Sequence, residues 1–319
     1  MATLLICVAR AIKSAAVRLD RMSTSGLTPA KSSRYVMVRC NGRLGNQLFQ
    51  YASALGIAHR LEYGTNACMI CSNYDQWTGF RIPPPACPRE ATAQRIVTRK
   101  ESGYATYRDF LFPALRADDH LLVETYLQSW RYFDANRTRR ELEQRLMFDE
   151  SVTREARRRV NAKRSSRNTT IVGVHVRRGD KIWNAEDFAR TNHPITAFYA
   201  RSFDYITNRY GNDVVFIVVS DDTAWCERQA VFKSANVFVI STSDPPALDM
   251  AILSVTDHRI ISVGTFGWWG ATLAKRGETL YQDEFVWNDF NKDNVVLRDY
   301  YPSQWTNVPC KENITTLHT

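Results

Sequence analysis

Residues 171–181, IVGVHVRRGDK, give the clearest indication of the fold of this chain. The first half is an apolar, largely β-branched run, which is typical of a strand buried on both faces in a parallel sheet. Two arginines, a glycine and an aspartate follow it directly. Open α/β sheets bind their ligands at the carboxyl ends of the strands. The stretch therefore predicts a buried strand that ends in a positively charged ligand site, with Arg177, Arg178 and Asp180 at the turn.

Further apolar runs alternate with segments of helical spacing in the second half of the chain. Strands are expected at 214–219, 237–240, 259–263 and 278–281. Strands that alternate with helices indicate a doubly wound parallel sheet, whose strand ends meet at one edge. The polar residues expected there, besides those named above, are Asp221 and Asp222, which come with Ser220 at the end of the 214–219 strand, and Thr265.

A strand followed by a glycine-bearing turn also opens the first half of the chain. Residues 35–40 predict a strand, NGRLGNQ at 41–47 a turn, and the apolar spacing after it a helix to about residue 61. Backbone N–H groups at such a turn can bind an anion, although Gly-x-x-Gly also occurs in ordinary turns that bind no ligand. Arg43 and Asn46 beside Gly45 favour the anion site. Further strands are expected at 66–70 and 120–127, and a long loop at 74–88.

Length and composition fit a two-domain globular protein. The chain has 319 residues, 44% of them hydrophobic and 24% charged. We expect a leader at 1–34, an N-terminal domain at 35–165 and a C-terminal domain at 166–319. The leader holds six of the 42 Lys/Arg and one of the 33 Asp/Glu residues, so the rest of the chain carries only +4 of the net +9. That charge suits a local anion site rather than a nucleic-acid-binding surface.

The leader predicts an amphipathic helix followed by a Ser/Thr-rich segment. Its apolar residues share one helical face, its basic residues gather on the other, and acidic residues are scarce, as in a mitochondrial transit peptide. A surface helix and a disordered tail are the alternatives. No apolar run of about 18 residues occurs, so no transmembrane helix is expected. The leader thus favours a mitochondrial location.

Cysteines and clustered aromatic residues predict structural roles. Cys68 and Cys71 have the spacing of half a zinc site, but no second pair and no His-x-x-x-His follow, so core or paired cysteines are favoured and no metal is expected. The aromatic residues at 130–133 and 268–269 are expected to pack in the core rather than to contact a ligand.

The remaining motifs point to a nucleotide or a nucleotide-sugar enzyme. Neither H-E-x-x-H nor G-x-x-x-x-G-K-[ST] occurs, so a zinc protease and a P-loop protein are unsupported. The side chain of arginine is permanently charged and donates two hydrogen bonds to phosphate oxygens at once. The pair Arg177 and Arg178 therefore suits a diphosphate ligand. The turn at Thr265 and Phe266, before a helix expected near Gly267, offers N–H groups to such a ligand. Asp249, at another expected helix start, either complements the helix dipole or accepts the N–H donors of a guanine.

Five segments together resemble the α-1,2-fucosyltransferases, glycosyltransferase family eleven. They are CNGRLGNQLFQYASALGIAHRL, YLQSWRYF, VGVHVRRGDK, VVSDDTAWC and ALDMAILSVTDHRIISVGTFGWWGATLA, and they extend from about residue 38 to 275. HxRRGD is shared with α-1,6- and protein O-fucosyltransferases, whereas DHRIISVGTFGWWGA is similar to the α-1,2 group specifically. The resemblance implies a GT-B-type α/β fold, with two Rossmann-like domains and mostly parallel sheets facing a cleft.

The resemblance also implies an activity. It implies inverting transfer of L-fucose from GDP-β-L-fucose to the 2-hydroxyl of a terminal galactose on a glycan acceptor, with no required cofactor or metal. A protein O-fucosyltransferase and a catalytically silent nucleotide-sugar-binding protein are the alternatives. Animal members of the family are usually anchored Golgi proteins, so the Golgi lumen is the alternative location if an anchor lies upstream.

The resemblance assigns roles to individual residues. Arg177 holds the β-phosphate with Arg178 as its neighbour, and His175 lies near the nucleotide. Arg43, Gly45 and Asn46 reach the pyrophosphate and fucose from the opposite domain. The remaining donor-site residues are Ser220, Asp221 and Asp222, the phosphate-binding Thr265 and Phe266, and Asp249 for the guanine. Asp180, Asp221 and Asp222 are candidates for the catalytic base, and none is assigned.

Overall fold

A computed structural model describes residues 34–93, 95–100, 103–109, 115–116, 119–178, 195–240, 245–282 and 294–309. Within these ranges the chain forms two parallel sheets with helices packed against them, which confirms the predicted α/β class. Residues 1–33 of the expected leader and Asp180 lie outside the described residues. The predictions made for them stay predictions.

The first sheet has four parallel strands in the order β2-β1-β4-β3. The strands are β1 (Val36–Arg39), β2 (Ala67–Ile70), β3 (Ile96–Lys100) and β4 (His120–Glu124). The helices are α1 (Leu44–Arg60), α2 (Arg89–Ala93) and α3 (Asn136–Arg145), with 3₁₀ turns at Asp75–Trp77 and Trp130–Tyr132. Because β1 pairs with both β2 and β4, the turn between β1 and α1 lies at the middle of the sheet's carboxyl edge.

The second sheet has six parallel strands in the order β10-β9-β8-β5-β6-β7. They are β5 (Thr170–Val176), β6 (Val214–Ser220), β7 (Val237–Val239), β8 (His258–Ile261), β9 (Thr279–Tyr281) and β10 (Thr306–Asn307). The helices are α4 (Glu150–Asn161), α5 (Ile195–Tyr210), α6 (Thr223–Arg228), α7 (Pro246–Val255), α8 (Thr265–Thr272) and α9 (Leu297–Tyr300), with a 3₁₀ turn at Ala230–Phe232. Strand order reverses at β5, the point where open α/β sheets bind ligands.

Strand β5 is buried along its length after Thr170, as its β-branched sequence predicts. Its register with β6 places Val176 opposite Ser220. The residues that follow the two strands are therefore neighbours, and Arg177 and Arg178 lie beside Asp221 and Asp222.

Several element boundaries differ from the sequence-based expectation. Helix α1 begins at Leu44, earlier than predicted, because Gln76 Oε1 accepts a hydrogen bond from the Leu44 N–H at 3.2 Å. Strand β4 ends at Glu124, and Leu127 adopts a left-handed φ of +52°. Ala156 and Val160 of helix α4 are buried in a core cluster with residues of the second sheet, while the domain bounds at 35–165 and 166–319 stay a prediction.

One hydrophobic core extends across both sheets through α1 and α8. The ring of Phe49 lies 4.4 Å from that of Trp268, 5.3 Å from that of Trp269 and 5.9 Å from that of Tyr300, measured between centroids. All four side chains are almost fully buried, which confirms the core role predicted for residues 268–269. Residues 132 and 133 are buried in the same core, as predicted.

The cysteines around the first sheet form two disulfides, Cys40–Cys71 and Cys68–Cys87. The pairing expected for Cys68 and Cys71 is confirmed, with a separate partner for each. The Cys40–Cys71 bond joins the residues that follow β1 and β2, and so tethers the start of the 41–43 turn. In the part of the chain that the structure describes, no His/Cys/Asp/Glu cluster has metal-binding geometry, and no helix is long and apolar enough to span a membrane.

We expect Phe49→Ala to lower the free energy of unfolding by about 3–5 kcal/mol, because it removes an aromatic side chain from the core shared by both sheets. Urea denaturation followed by circular dichroism measures this change. Ile82→Ala is the control: its side chain is 53% exposed, so a change within about 0.5 kcal/mol is expected. A loss below about 1 kcal/mol in Phe49→Ala contradicts the shared core.

Candidate functional site

A buried glutamine fixes the turn between β1 and α1. Gln50 Oε1 accepts a hydrogen bond from the Asn41 N–H at 3.1 Å. Its Nε2 donates to the carbonyls of Arg39 at 2.9 Å and Thr125 at 3.0 Å. Buried polar groups are costly to leave unpaired, so these three hydrogen bonds hold the turn against the ends of β1 and β4.

The same turn exposes Arg43 at the start of α1. Gln47 Nε2 donates to the Gly42 carbonyl at 3.2 Å, and Gln47 Oε1 accepts from the indole N–H of Trp77 at 2.9 Å. Gly42 has a φ of +73°, which a residue with a side chain rarely adopts. The exposed Arg43 is the N-cap residue of α1, whose first-turn N–H groups carry partial positive charge.

Helices α1 and α8 approach each other closely at Gly45. A Cβ atom on Gly45 would lie 2.6 Å from Thr265 Oγ1 and 2.8 Å from the Phe266 backbone nitrogen, so only glycine fits. Asn46 Oδ1 accepts a hydrogen bond from Thr265 Oγ1 at 2.9 Å. The structure thus brings together the two turns that the sequence predicted as separate anion sites.

The arginine pair after β5 is held by Asp221. One carboxylate oxygen of Asp221 accepts from the Arg178 backbone N–H at 2.7 Å, and the other lies 3.4 Å from Arg177 Nη1. A Cβ atom on Gly264, which has a φ of +112°, would lie 3.7 Å from Arg177 Cδ. The Arg177 side chain therefore lies against the residue that precedes α8, at the positive end of that helix.

The Arg178 side chain packs on α6 instead. Its guanidinium carbon lies 4.3 Å from the centroid of the Trp225 ring, and its Nε is 3.8 Å from Asp222 Oδ2. Asp222 Oδ1 accepts from the Trp225 N–H at 2.9 Å and so caps α6. Ser220 Oγ in turn accepts from the Asp222 N–H at 3.0 Å. This arrangement stabilises the turn after β6 and separates the roles of the two arginines.

The His175 side chain is buried and packs against the first turn of α8. Its side chain is 4% exposed, its ring stacks on Phe266 at 5.6 Å between centroids, and a Cβ atom on Gly267 would lie 2.4 Å from His175 Nδ1. Burial lowers the pKa of His175 to about 3; the charge of Arg177 acts in the same direction and Asp221 opposes it. A neutral ring avoids a buried cation beside the partly exposed Arg177.

Ser262 links His175 to the arginine turn. Its Oγ accepts from the Arg177 backbone N–H at 3.0 Å and lies 3.3 Å from His175 Nδ1. The His175 carbonyl accepts from the Ser262 N–H at 3.2 Å and from the Tyr199 hydroxyl at 3.1 Å. The end of β5 is therefore anchored on both sides before Arg177 begins.

Asp249 lies in the first turn of α7 and is buried. Helix α7 connects the parallel strands β7 and β8 and packs against α4, α8 and β5. This position suits dipole complementation at the helix N-terminus. Its role toward a guanine stays a prediction.

The geometry concentrates positive charge where α1 and α8 meet. Arg43 precedes α1 and Arg177 lies against Gly264, which precedes α8, so the N-termini of both helices and these two arginines could bind an anion there. Sequence reasoning missed the polar residues that support them: Gln47, Gln50, Gln76, Gln128 and Ser262. A glutamine within an otherwise apolar helix stripe, as at Gln50, was the signal available.

The chain as a whole matches a known protein family. The sequence model described as Glycosyl transferase family 11 matches residues 7–308. The chain belongs to glycosyl transferase family 11. It is therefore a glycosyltransferase, as its five motif segments predicted.

Curated relatives of this family 11 chain are similar over most of its length. Galactoside alpha-(1,2)-fucosyltransferase 2 of Pongo pygmaeus is 27% identical over 304 residues, covering 90% of this chain and 82% of the relative. Galactoside 2-alpha-L-fucosyltransferase SEC1 of Bos taurus is 28% identical over 257 residues, covering 78% and 67%. Among solved structures, a mutant of Arabidopsis thaliana FUT1 in complex with GDP is 14% identical with a TM-score of 0.54, covering 86% of this chain and 76% of that one. The GT-B-type fold is thereby confirmed.

The lowered pKa of His175 predicts a pH dependence of stability. In the unfolded chain His175 binds a proton below its ordinary pKa of 6.5, whereas the folded protein binds it only near pH 3. The stability is therefore fully present above pH 6.5 and is lost as pH falls, by up to about 1.4 kcal/mol per pH unit.

We expect His175→Gln to flatten the fall in unfolding free energy between about pH 6 and pH 4.5 by about 1 kcal/mol per unit. Urea denaturation at several pH values measures the slopes. His59, His120 and His258, whose pKa values burial also lowers, contribute to both proteins alike. Parallel slopes for the wild type and the variant contradict the neutral, buried state of His175.

Proposed function

We propose that this chain is a galactoside α-1,2-fucosyltransferase, which transfers L-fucose from GDP-fucose to the 2-hydroxyl of a terminal galactose. The observation that carries the proposal is the position of Arg177 beside Gly264, at the N-terminus of α8 and at the switch point of the second sheet. The relatives named galactoside α-1,2-fucosyltransferases, which cover up to 90% of this chain, support the substrate pair.

The proposed chemistry depends on charge at the leaving group. As the bond between fucose and the β-phosphate oxygen breaks, negative charge accumulates on GDP. Arg177 provides a planar, permanently charged donor pair, and the α8 N-terminus provides N–H groups aligned with the helix dipole. Asp221, 3.4 Å from Arg177 Nη1, orients that guanidinium before the donor arrives. Such preorganised electrostatic stabilisation is commonly the largest single contribution to catalysis.

The first sheet supplies the opposite wall of the proposed donor site. Arg43 and Asn46 reach it from the N-terminus of α1, and attack by the acceptor hydroxyl from the far side of the fucose inverts the anomeric centre. Asp221 and Asp222 are occupied by the arginine pair and by the α6 cap, so we propose neither as the base. Asp180 lies outside the described residues and is likewise not assigned.

We further propose that the reaction requires no metal. The support is that Arg177, Arg43 and two helix termini already place positive charge around the proposed diphosphate position. The experiment is incubation of the purified protein with GDP-fucose and lactose, with and without EDTA, followed by linkage analysis of the product by NMR. We expect an α-1,2 linkage to galactose at the same rate in both reactions.

The same assay, repeated with a Ser/Thr-containing peptide as acceptor, separates the alternatives. Fucose on a Ser or Thr of a peptide acceptor, with no galactose product, favours a protein O-fucosyltransferase and overturns the proposal. GDP-fucose binding without turnover on any acceptor favours a catalytically silent binding protein. A loss of rate in EDTA that Mg²⁺ or Mn²⁺ restores overturns the metal-free mechanism alone.

We expect Arg177→Lys to lower kcat/KM for GDP-fucose by about 100-fold or more, because an ammonium group cannot reproduce the guanidinium fork. Steady-state kinetics measure the loss, and an unchanged thermal midpoint shows that the fold is intact. The matched control is Arg154→Lys on the exposed face of α4, for which we expect wild-type turnover. Turnover of Arg177→Lys within about threefold of the wild type removes the assigned role.

We propose that the protein works in an oxidising compartment. The two disulfides of the first sheet support this, because disulfides persist in oxidising rather than reducing compartments. This favours the Golgi lumen over the mitochondrial matrix. Alkylation of cell lysates under denaturing, non-reducing conditions is expected to leave Cys40, Cys68, Cys71 and Cys87 unmodified. Alkylation of these four, together with mitochondrial staining of a carboxyl-terminal fusion, contradicts the proposal.

A further inference from the structure

The Asn46 carboxamide connects three parts of the fold. Its Oδ1 accepts one hydrogen bond from Thr265 Oγ1 at 2.9 Å and a second from Gln128 Nε2 at 3.1 Å. A carboxamide oxygen has two lone pairs, and both are used here. The orientation of the carboxamide is therefore fixed, and its Nδ2 lies against Gly42, where a Cβ atom would approach it to 2.1 Å.

Binding of GDP-fucose would affect the hydrogen bonds from Thr265 and Gln128 to Asn46 differently. Thr265 is the first residue of α8, where we place the diphosphate, and its hydroxyl has one hydrogen. In the structure that hydrogen goes to Asn46 Oδ1. A phosphate oxygen is an acceptor, so the Thr265 hydroxyl must turn away from Asn46 to donate to it. Gln128 then remains as the donor that holds Asn46.

The backbone around Gln128 is built to present this side chain. Leu127, the preceding residue, has a φ of +52°, a conformation that bulky residues adopt only where their surroundings impose it. The Leu127 carbonyl accepts from Ser53 Oγ at 2.9 Å, and the Gln128 N–H donates to the Tyr104 carbonyl at 2.7 Å. The Gln128 side chain is only 7% exposed, so water does not replace its bond to Asn46 freely.

We propose that Gln128 is a positioning residue for fucosyl transfer: it holds the Asn46 carboxamide in its working orientation when the donor diphosphate takes the Thr265 hydroxyl. This inference rests on the proposed function. It adds a residue of the first sheet's carboxyl edge to the donor site without direct contact between that residue and the substrate.

A double-mutant cycle tests the proposal. The variants are Gln128→Leu, Asn46→Ala and the double variant, and the measured quantity is kcat/KM for GDP-fucose. We expect Gln128→Leu to lower it about tenfold in the wild-type background but less than about twofold in the Asn46→Ala background. Equal losses in the two backgrounds, or wild-type kinetics of Gln128→Leu, overturn the proposal, because a purely structural role gives additive effects.

Two further variants test whether the effect comes from the lost hydrogen bond of Gln128. Gln128→Met keeps the length of the side chain but has no hydrogen to donate, so we expect a loss similar to that of Gln128→Leu. It replaces Gln128→Leu in the cycle if that variant does not fold. Gln144→Leu, on the exposed face of α3, is the matched control and is expected to retain wild-type kinetics. Full activity of Gln128→Met also overturns the proposal.

The cycle also distinguishes failure of this inference from failure of the proposed function. If the wild type forms no α-1,2 linkage, the proposed function is wrong, and the cycle is measured instead on GDP-fucose affinity by isothermal titration calorimetry. The same coupling between Gln128 and Asn46 is expected there. Additive losses of affinity overturn the positioning role whatever reaction the protein catalyses.

Discussion

The contact of the first turn of α1 with the first turn of α8 is the constraint on which the rest of the structure depends. Gly45 leaves no room for a side chain, since a Cβ atom would lie 2.6 Å from Thr265 Oγ1. One helical turn further along α1, Phe49 packs on Trp268 and Trp269 and joins the cores of the two sheets. The same approach therefore closes the core and places the two helix N-termini at one site.

Electrostatic balance explains why the site tolerates its own charge. Two adjacent arginines follow β5, and each has a carboxylate within ion-pair distance, Asp221 for Arg177 and Asp222 for Arg178. His175, directly below, stays neutral because burial and Arg177 both disfavour its charged form. A neutral histidine supports α8 without adding a third positive charge, so the attraction for an anion is concentrated on Arg177 and the helix ends.

The buried parts of the fold were predictable, and the long-range contacts were not. The β-branched run at 171–176 predicted the buried strand β5, and Arg177 follows that strand directly. The edge strands β3 and β10 were missed, since β3 carries two charged residues at its end and β10 has only two residues. The bond from Gln128 to Asn46 spans 82 residues and the one from Thr265 to Asn46 spans 219. Local periodicity contains no information on pairs so far apart, whereas the family resemblance indicated Asn46 and Thr265 separately.

We propose that the α1–α8 junction binds the diphosphate of a GDP-sugar. A crystal structure of the protein with GDP tests it most directly. We expect the β-phosphate at the N-terminus of α8, within hydrogen-bond distance of the Arg177 guanidinium, with the Thr265 hydroxyl turned from Asn46 toward a phosphate oxygen. A GDP molecule bound elsewhere, with Arg177 and Thr265 unchanged, would contradict it.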